Sequence, residues 1–218
     1  STRFAGVGVM KASGERATHS WQSRWNHGRE LMPAIIESLD EISVTPQDIT
    51  HVAVALGPGG FSAVRVGISA ALGLIVAKQL PVLGVPTHDI EATPYLSELE
   101  SKSSLYSLIP AGRNEVSWAR HSVDDGRSAG VAASGVSAPD NLAGQLEDGA
   151  ILCGEACDLM AGLVDQSQFR GHQAPTRDPN LILDIAFEGF QAGNSTPYEE
   201  LRPIYARPPS ITKPKPAK

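Results

Sequence analysis

The strongest constraint in this 218-residue sequence is a strand, a glycine-rich turn and a helix in direct succession. His51 to Leu56 is a short, almost unbroken apolar run rich in valine and alanine, the pattern of a strand buried on both faces. Gly57-Pro58-Gly59-Gly60 then forces a tight turn, and Phe61 to about Lys78 reads as a long helix. Pro81 to Val85 supplies the returning strand. Together these segments predict a βαβ unit with a parallel strand pair.

That helix is apolar on two sides. Phe61, Val64, Ile68, Leu72 and Ile75 recur at helical spacing and are expected to pack on the sheet of the same unit. Opposite them lie Ala63, Gly67, Ala70, Leu74 and Ala77, mostly small residues that let another helix backbone approach closely. Only Ser62, Arg65 and Ser69 form a polar sector. Such a helix needs cover on both faces. The second cover is either the helix expected from Gly28 to Leu39 or a different protein. The Gly28 helix carries Leu31, Ile35 and Leu39 at helical spacing, widened by Met32 and Ile36, and Pro33 predicts a kink or a late start. Arg65 reads as a solvated cation or as half of an interfacial ion pair.

The remaining elements are simpler. Thr2 to Met10 and Arg16 to Trp21 read as an antiparallel pair around a Lys11–Gly14 turn. Thr45-Pro46-Gln47-Asp48 is a start signal for a very short helix. The polar stretch Ser97 to Ser104 leads into a second part. There Leu105 to Ile109 and Glu115 to Arg120 are strands around a turn at Pro110 to Asn114, and Asp124-Asp125-Gly126 is a further turn. Ala150 to Cys153 is another strand, and Asn180 to Ala192 a helix with Leu181, Ile185 and Phe187 among its apolar positions. The tail from Pro203 is basic, proline-punctuated and expected to fray. This organisation predicts an α/β fold with one lobe over residues 1–100 and another over 101–218.

Composition removes several classes of function. With 41% apolar and 19% charged residues the chain is expected to fold as an ordinary globular protein. A formal charge of -6 argues against a whole-surface grip on RNA. Cys153 and Cys157, the only two cysteines, match neither a redox nor a zinc spacing and read as buried or half-buried thiols near a strand end. No run of about 18 apolar residues is present, and the chain is expected in the cytoplasm without membrane contact.

Catalytic signatures are absent from the pattern. A glycine turn before a helix N-terminus invites an anion-binding reading. However, the lysine and hydroxyl of a phosphate loop are missing, and Pro58 removes an amide donor, so the turn reads as structural. Asp89, Glu91, Asp124 and Asp125 read as cap or turn residues. His19, His27, His51 and His88 are isolated, and Ser62 lacks a nucleophile-elbow context. No catalytic, metal or cofactor residue is assigned.

The run Gly57-Pro58-Gly59-Gly60-Phe61-Ser62-Ala63-Val64-Arg65-Val66-Gly67-Ile68 resembles the GPGSFTGxRxG signature of the TsaB (YeaZ) family. The likeness continues along most of the chain. Ser1-Thr2 resembles the end of the family's opening D-T-S-T strand, whose acidic residue falls before Ser1. His27 with Leu31-Met32-Pro33 is similar to its H-x-x-x-L-L-P helix, and Leu83-Gly84-Val85-Pro86-Thr87 to its G-V-S-T stretch. Ala111 with Arg113-Asn114-Glu115-Val116 resembles the D-A-R-R-x-E-V hairpin, with Pro110 and Gly112 in place of an Asp and an Arg. Arg202-Pro203-Ile204-Tyr205-Ala206-Arg207 resembles the closing P-x-Y-L-R. Gly60, Ser62 and Ala63 replace Ser, Thr and Gly.

The resemblance implies two ribonuclease-H-like lobes of the actin-like ATPase superfold, paralogous to TsaD. It implies an accessory subunit, without activity of its own, for N6-threonylcarbamoyladenosine formation at tRNA position 37. The expected partners are a TsaD-like protein in a heterodimer and a TsaE-like ATPase in a larger assembly, with a homodimer when alone and tRNA met through the complex. The implied interface residues are His27, Leu31, Pro33, Phe61, Ala63, Arg65, Gly67 and Ala70. The alternatives are an ATP-dependent transferase or metallopeptidase-like enzyme of the same superfold, and an RNA-binding module.

Overall fold

The computed structural model describes residues 3–23, 26–99, 104–124 and 127–207, with the side chains of residues 98 and 123–129 left aside. Strands β1 (Phe4–Met10) and β2 (Arg16–Gln22) form an antiparallel pair. Helix α1 (His27–Glu41) follows and keeps Pro33 inside it. A 3-10 turn at Pro46–Asp48 is closed by a reciprocal Thr45–Asp48 capping box, as the start signal predicts. Strand β3 (Val52–Gly57), helix α2 (Phe61–Ile75) and strand β4 (Val82–Pro86) then make the expected βαβ unit, with β3 and β4 parallel.

α2 ends at Ile75, a turn short of Lys78. Its buried stripe is Val64, Ile68, Ala71 and Ile75, which packs with Val54, Leu56, Val82 and Leu201. Phe61 is not in that stripe. It is 42% exposed and stacks on Tyr205 instead. Leu72 is only partly buried beside the same cluster.

Helix α3 (Thr87–Ala92) leads toward the second group of elements. There β5 (Leu105–Pro110), β6 (Val116–Asp124) and β7 (Arg127–Ser137) run antiparallel, while β8 (Ile151–Cys153) and β9 (Phe169–Arg170) join parallel to β5. The sheet order is β7-β6-β5-β8-β9. Helix α4 (Pro139–Ala143) precedes β8. The core of this sheet gathers Leu108, Val116, Leu142, Leu152 and Met160. Ser97–Ser104 falls partly, and the Asp125-Gly126 turn wholly, outside the described residues.

Helix α5 (Pro179–Gln191) starts at Asp178, whose side chain accepts from Asn180 N at 2.9 Å. It returns against β1, β3 and β4 rather than the sheet it follows. Gly6 and Gly8 permit this, since a Cβ on either would lie 2.8 Å from Pro179 or Leu183. The core face of α5 is therefore Pro179, Leu183 and Ala186, while Phe187 points outward at 45% exposure. Periodicity marks Phe187 as an apolar position of the helix without saying which face packs inward. Glycines on β1 select that face.

The segment after Pro203 does not fray where it is described. Ile204 N donates to Leu56 O at 2.7 Å. Gly57, at φ +101°, lies so close to the Ile204 carbonyl that no side chain fits there. The Gly-Pro-Gly-Gly turn is thus shaped to seat the C-terminal strap. The tail at 208–218 lies outside the described residues.

Candidate functional site

Two regions gather side chains of functional interest. The first is the outward side of α1 and α2, which pack on each other. On α1, Leu31, Ile35 and Leu39 turn inward, and Met32 and Ile36 are 42% and 41% exposed one helical turn apart. Pro33 is exposed beside them. At the start of α2, Phe61 stacks on Tyr205 with ring centroids 4.8 Å apart. The Arg65 guanidinium sits 4.0 Å over the Phe61 ring, and its Nε donates to Tyr205 Oη at 2.6 Å. Arg65 is therefore exposed yet held in one place, an arrangement that keeps a cation on an aromatic platform.

The sequence-derived interface residues divide into two sets. Pro33, Phe61 and Arg65 face solvent. His27, Leu31, Ala63, Gly67 and Ala70 are half-buried and line a cavity shared with β1, β3 and α5. The small-residue face of α2 is thus turned largely into its own molecule, as the intramolecular alternative anticipates. Met32 and Ile36, which the resemblance does not single out beyond the helix they belong to, are the exposed apolar residues beside Pro33. They border the Leu31, Ile35 and Leu39 stripe, and their exposure in the structure, not their spacing, identifies them.

The second region is a buried polar junction between the two groups of elements. Glu91 on α3 is 2% exposed. Arg177 pairs with Glu91 and with Glu155, the latter at 2.6 Å, and Thr176 Oγ1 donates to Glu91 at 2.8 Å. Beside this cluster, His88 Nδ1 and Nε2 lie 2.8 and 3.0 Å from the hydroxyls of Ser107 and Ser117, and His121 Nε2 lies 2.8 Å from Ser107. Glu91 and His88, expected as a turn acid and an isolated histidine, are both buried members of this junction. The partners come from positions 88 to 177, so local pattern holds no trace of them.

A serine at hydrogen-bond distance from a histidine is the minimum for nucleophilic chemistry, but these groups are sealed. His88, Ser107, Ser117 and His121 are each under 10% exposed, and they line neither the cavity between β1 and β3 nor the cleft around Arg65 and Tyr205. Burial, reinforced by His121 and Arg177, pushes the His88 pKa down to about 3, and burial takes His121 down to about 4. Burial raises Glu91, partly offset by Arg177. Cys153 and Cys157 are buried free thiols whose pKa values burial also raises, which makes them poor nucleophiles. Among the described residues no three His, Cys, Asp or Glu side chains are grouped to hold a metal ion, and no helix is long and apolar enough to cross a membrane.

The histidines give a pH dependence of known sign. Each is neutral in the fold and has an ordinary pKa of about 6.5 when unfolded, so below that pH the unfolded chain binds more protons. Stability is therefore full above pH 6.5 and falls as pH drops toward the folded values. By pH 5 the expected loss is about 2 kcal/mol per histidine. Urea unfolding at pH 7 and pH 5 checks this. For His88→Asn and His121→Asn, each compared with itself at the two pH values, the difference shrinks.

With this geometry in hand, known proteins place the chain. The profile of TsaD, described as tRNA N6-adenosine threonylcarbamoyltransferase, matches residues 22–164. The tRNA N6-adenosine threonylcarbamoyltransferase of Anaeromyxobacter dehalogenans is 31% identical over 184 residues, covering 76% of this chain and 50% of that protein. The chain therefore spans about half the length of that relative. The tRNA threonylcarbamoyladenosine biosynthesis protein TsaB of Escherichia coli is 26% identical over 187 residues, covering 83% of this chain and 80% of that protein. Among solved structures, YeaZ from Pseudomonas aeruginosa superposes with a TM-score of 0.76 at 24% identity, covering 94% of this chain and 95% of that one. The fold is that of YeaZ, a mixed α/β fold of the actin-like ATPase type. The chain belongs to the TsaD family, with TsaB (YeaZ) proteins as its homologues.

Proposed function

We propose that this chain is a non-catalytic partner subunit that docks on a TsaD-like threonylcarbamoyltransferase and supports N6-threonylcarbamoyladenosine formation at tRNA position 37. The observation that carries the reading is the outward side of α1 and α2. Met32, Pro33, Ile36 and Phe61 offer apolar contacts there, and Arg65 is preset on an aromatic platform. Aromatic and arginine anchors are the groups that dominate binding energy at interfaces. Support also comes from the name and nearly full-length match of the Escherichia coli protein. The sealed state of the serine–histidine network favours a binding role over chemistry in this chain.

In this reading residues 1–100 form the lobe that carries the interface, and residues 101–218 form the second lobe, from which α5 returns to brace the first. A TsaE-like ATPase joins the assembly, and a second copy of the chain occupies the same face when no partner is present. The net charge of -6 fits tRNA being held through the complex in the cytoplasm rather than by this subunit. The test is a threonylcarbamoyl transfer assay with a TsaD-like protein, a TsaE-like ATPase and tRNA. Adding the chain is expected to raise turnover at least tenfold, and the chain with tRNA alone to give none. Transfer by the chain alone, or unchanged turnover on adding it, contradicts the proposal.

A further inference from the structure

The arginines of the chain differ in what they meet. Arg3, Arg16, Arg120, Arg177 and Arg207 each reach a carboxylate. Arg65 and Arg202 reach none among the described residues, although acids outnumber bases in the chain. These two sit together. Arg65 on α2 and Arg202 on the C-terminal strap line one cleft of about 510 Å³, with Ser69 and Tyr205 beside them and Ile68 and Pro203 as its apolar part. Each guanidinium is anchored through its Nε. Arg65 Nε donates to Tyr205 Oη at 2.6 Å, and Arg202 Nε donates to the Glu199 carbonyl at 2.8 Å. Their Nη atoms and the exposed Ser69 hydroxyl make no hydrogen bond among the described residues. Tyr205 Oη accepts from Arg65 and keeps its own proton to give. Glu199 and Glu200 precede Arg202 in the chain, but neither lines the cleft.

We infer that this cleft binds a small phosphate monoester, gripped through its phosphoryl group by Arg65 and Arg202. The charges match, since two cations without an acid face a group that is close to a dianion at neutral pH. The hydrogen-bond inventory matches too. The two guanidinium forks, the Tyr205 O–H and the Ser69 O–H are all donors, and no carboxylate lines the cleft. A phosphoryl group presents three strong acceptor oxygens in a pyramid and has no donor to leave unpaired. A carboxylate presents only two oxygens, in one plane. Guanidinium forks bond phosphate oxygens in pairs, with geometric selectivity as well as strength. Arg65 is also preset, 4.0 Å over the Phe61 ring and tied to Tyr205, so little side-chain freedom is lost on binding. The volume lies in the range of small-molecule clefts, and Ile68 and Pro203 offer apolar contact to the esterified group.

The test titrates the chain by itself with glycerol phosphate, using calorimetry at neutral pH and low salt. Its outcome therefore does not depend on whether α1 and α2 dock on a TsaD-like protein. The expected result is saturable binding of one ligand per chain, at least tenfold tighter than that of malonate, a dianion built from two carboxylates. Arg202→Gln is expected to weaken binding at least tenfold. Arg65→Lys keeps the charge but loses the fork, and is expected to do the same. Both side chains are exposed, and circular dichroism checks that each variant folds. Equal binding of malonate would show a cationic patch rather than a phosphate site. No saturable binding at millimolar glycerol phosphate, or unchanged affinity in Arg202→Gln, would overturn the inference outright.

Discussion

Replacing Arg177 by methionine is expected to lower the thermal midpoint by about 10 °C. Arg177 pairs with both Glu91 and Glu155, both carboxylates are almost fully buried, and the exposed Arg3 reaches Glu155 only at 3.9 Å. Removing one partner of a buried ionic cluster leaves uncompensated charge and costs about 3–5 kcal/mol. For a domain of this size each kcal/mol moves the midpoint by about 2–4 °C. The loss arises from stranded carboxylates more than from missing contacts. The triple variant Arg177→Met, Glu91→Gln, Glu155→Gln, which removes all three charges, is therefore expected to recover at least half of it. A midpoint within 2 °C of the parent for Arg177→Met would show that the cluster holds nothing together.

The second large effect concerns binding. The double variant Met32→Glu, Ile36→Glu is expected to weaken association with a TsaD-like protein more than 100-fold, about 3 kcal/mol. Both side chains are over 40% exposed in the free chain, so the fold loses little, about 0.5 kcal/mol or less per site. At an interface the same changes would place two carboxylates where apolar contact is required. Titration calorimetry measures the loss, and circular dichroism confirms the fold. Unchanged affinity would move the docking face elsewhere on the molecule. Ala70, by contrast, is a poor probe of docking, because it lines the internal cavity and a bulky charge there strains the fold itself.

What could be read from the sequence follows the range of the interactions involved. The βαβ unit is legible because a buried strand, a glycine turn and a helix each leave a local pattern. The face of α5 is not, since Gly6 and Gly8 on a distant strand decide which side packs. β7 was missed for a different reason. Its Ser, Ala and Gly residues carry weak strand preference, and the strand exists because β6 offers it a ladder of partners. The Arg65 clamp depends on Tyr205, 140 positions away. The polar junction joins residues from three elements and two loops. Of the residues implied for the interface, Pro33, Phe61 and Arg65 are exposed, whereas Ala63, Gly67 and Ala70 line the internal cavity, a division that exposure alone makes.

The central claim is that the outward side of α1 and α2 receives the partner, and hydrogen exchange on the complex tests it most directly. The chain is mixed with a TsaD-like protein, and amide exchange is compared with that of the free chain. Slowed exchange confined to α1 and the first turns of α2, around Met32, Ile36, Phe61 and Arg65, is the predicted result. Protection centred on the β5–β9 sheet, with α1 and α2 unchanged, would contradict it.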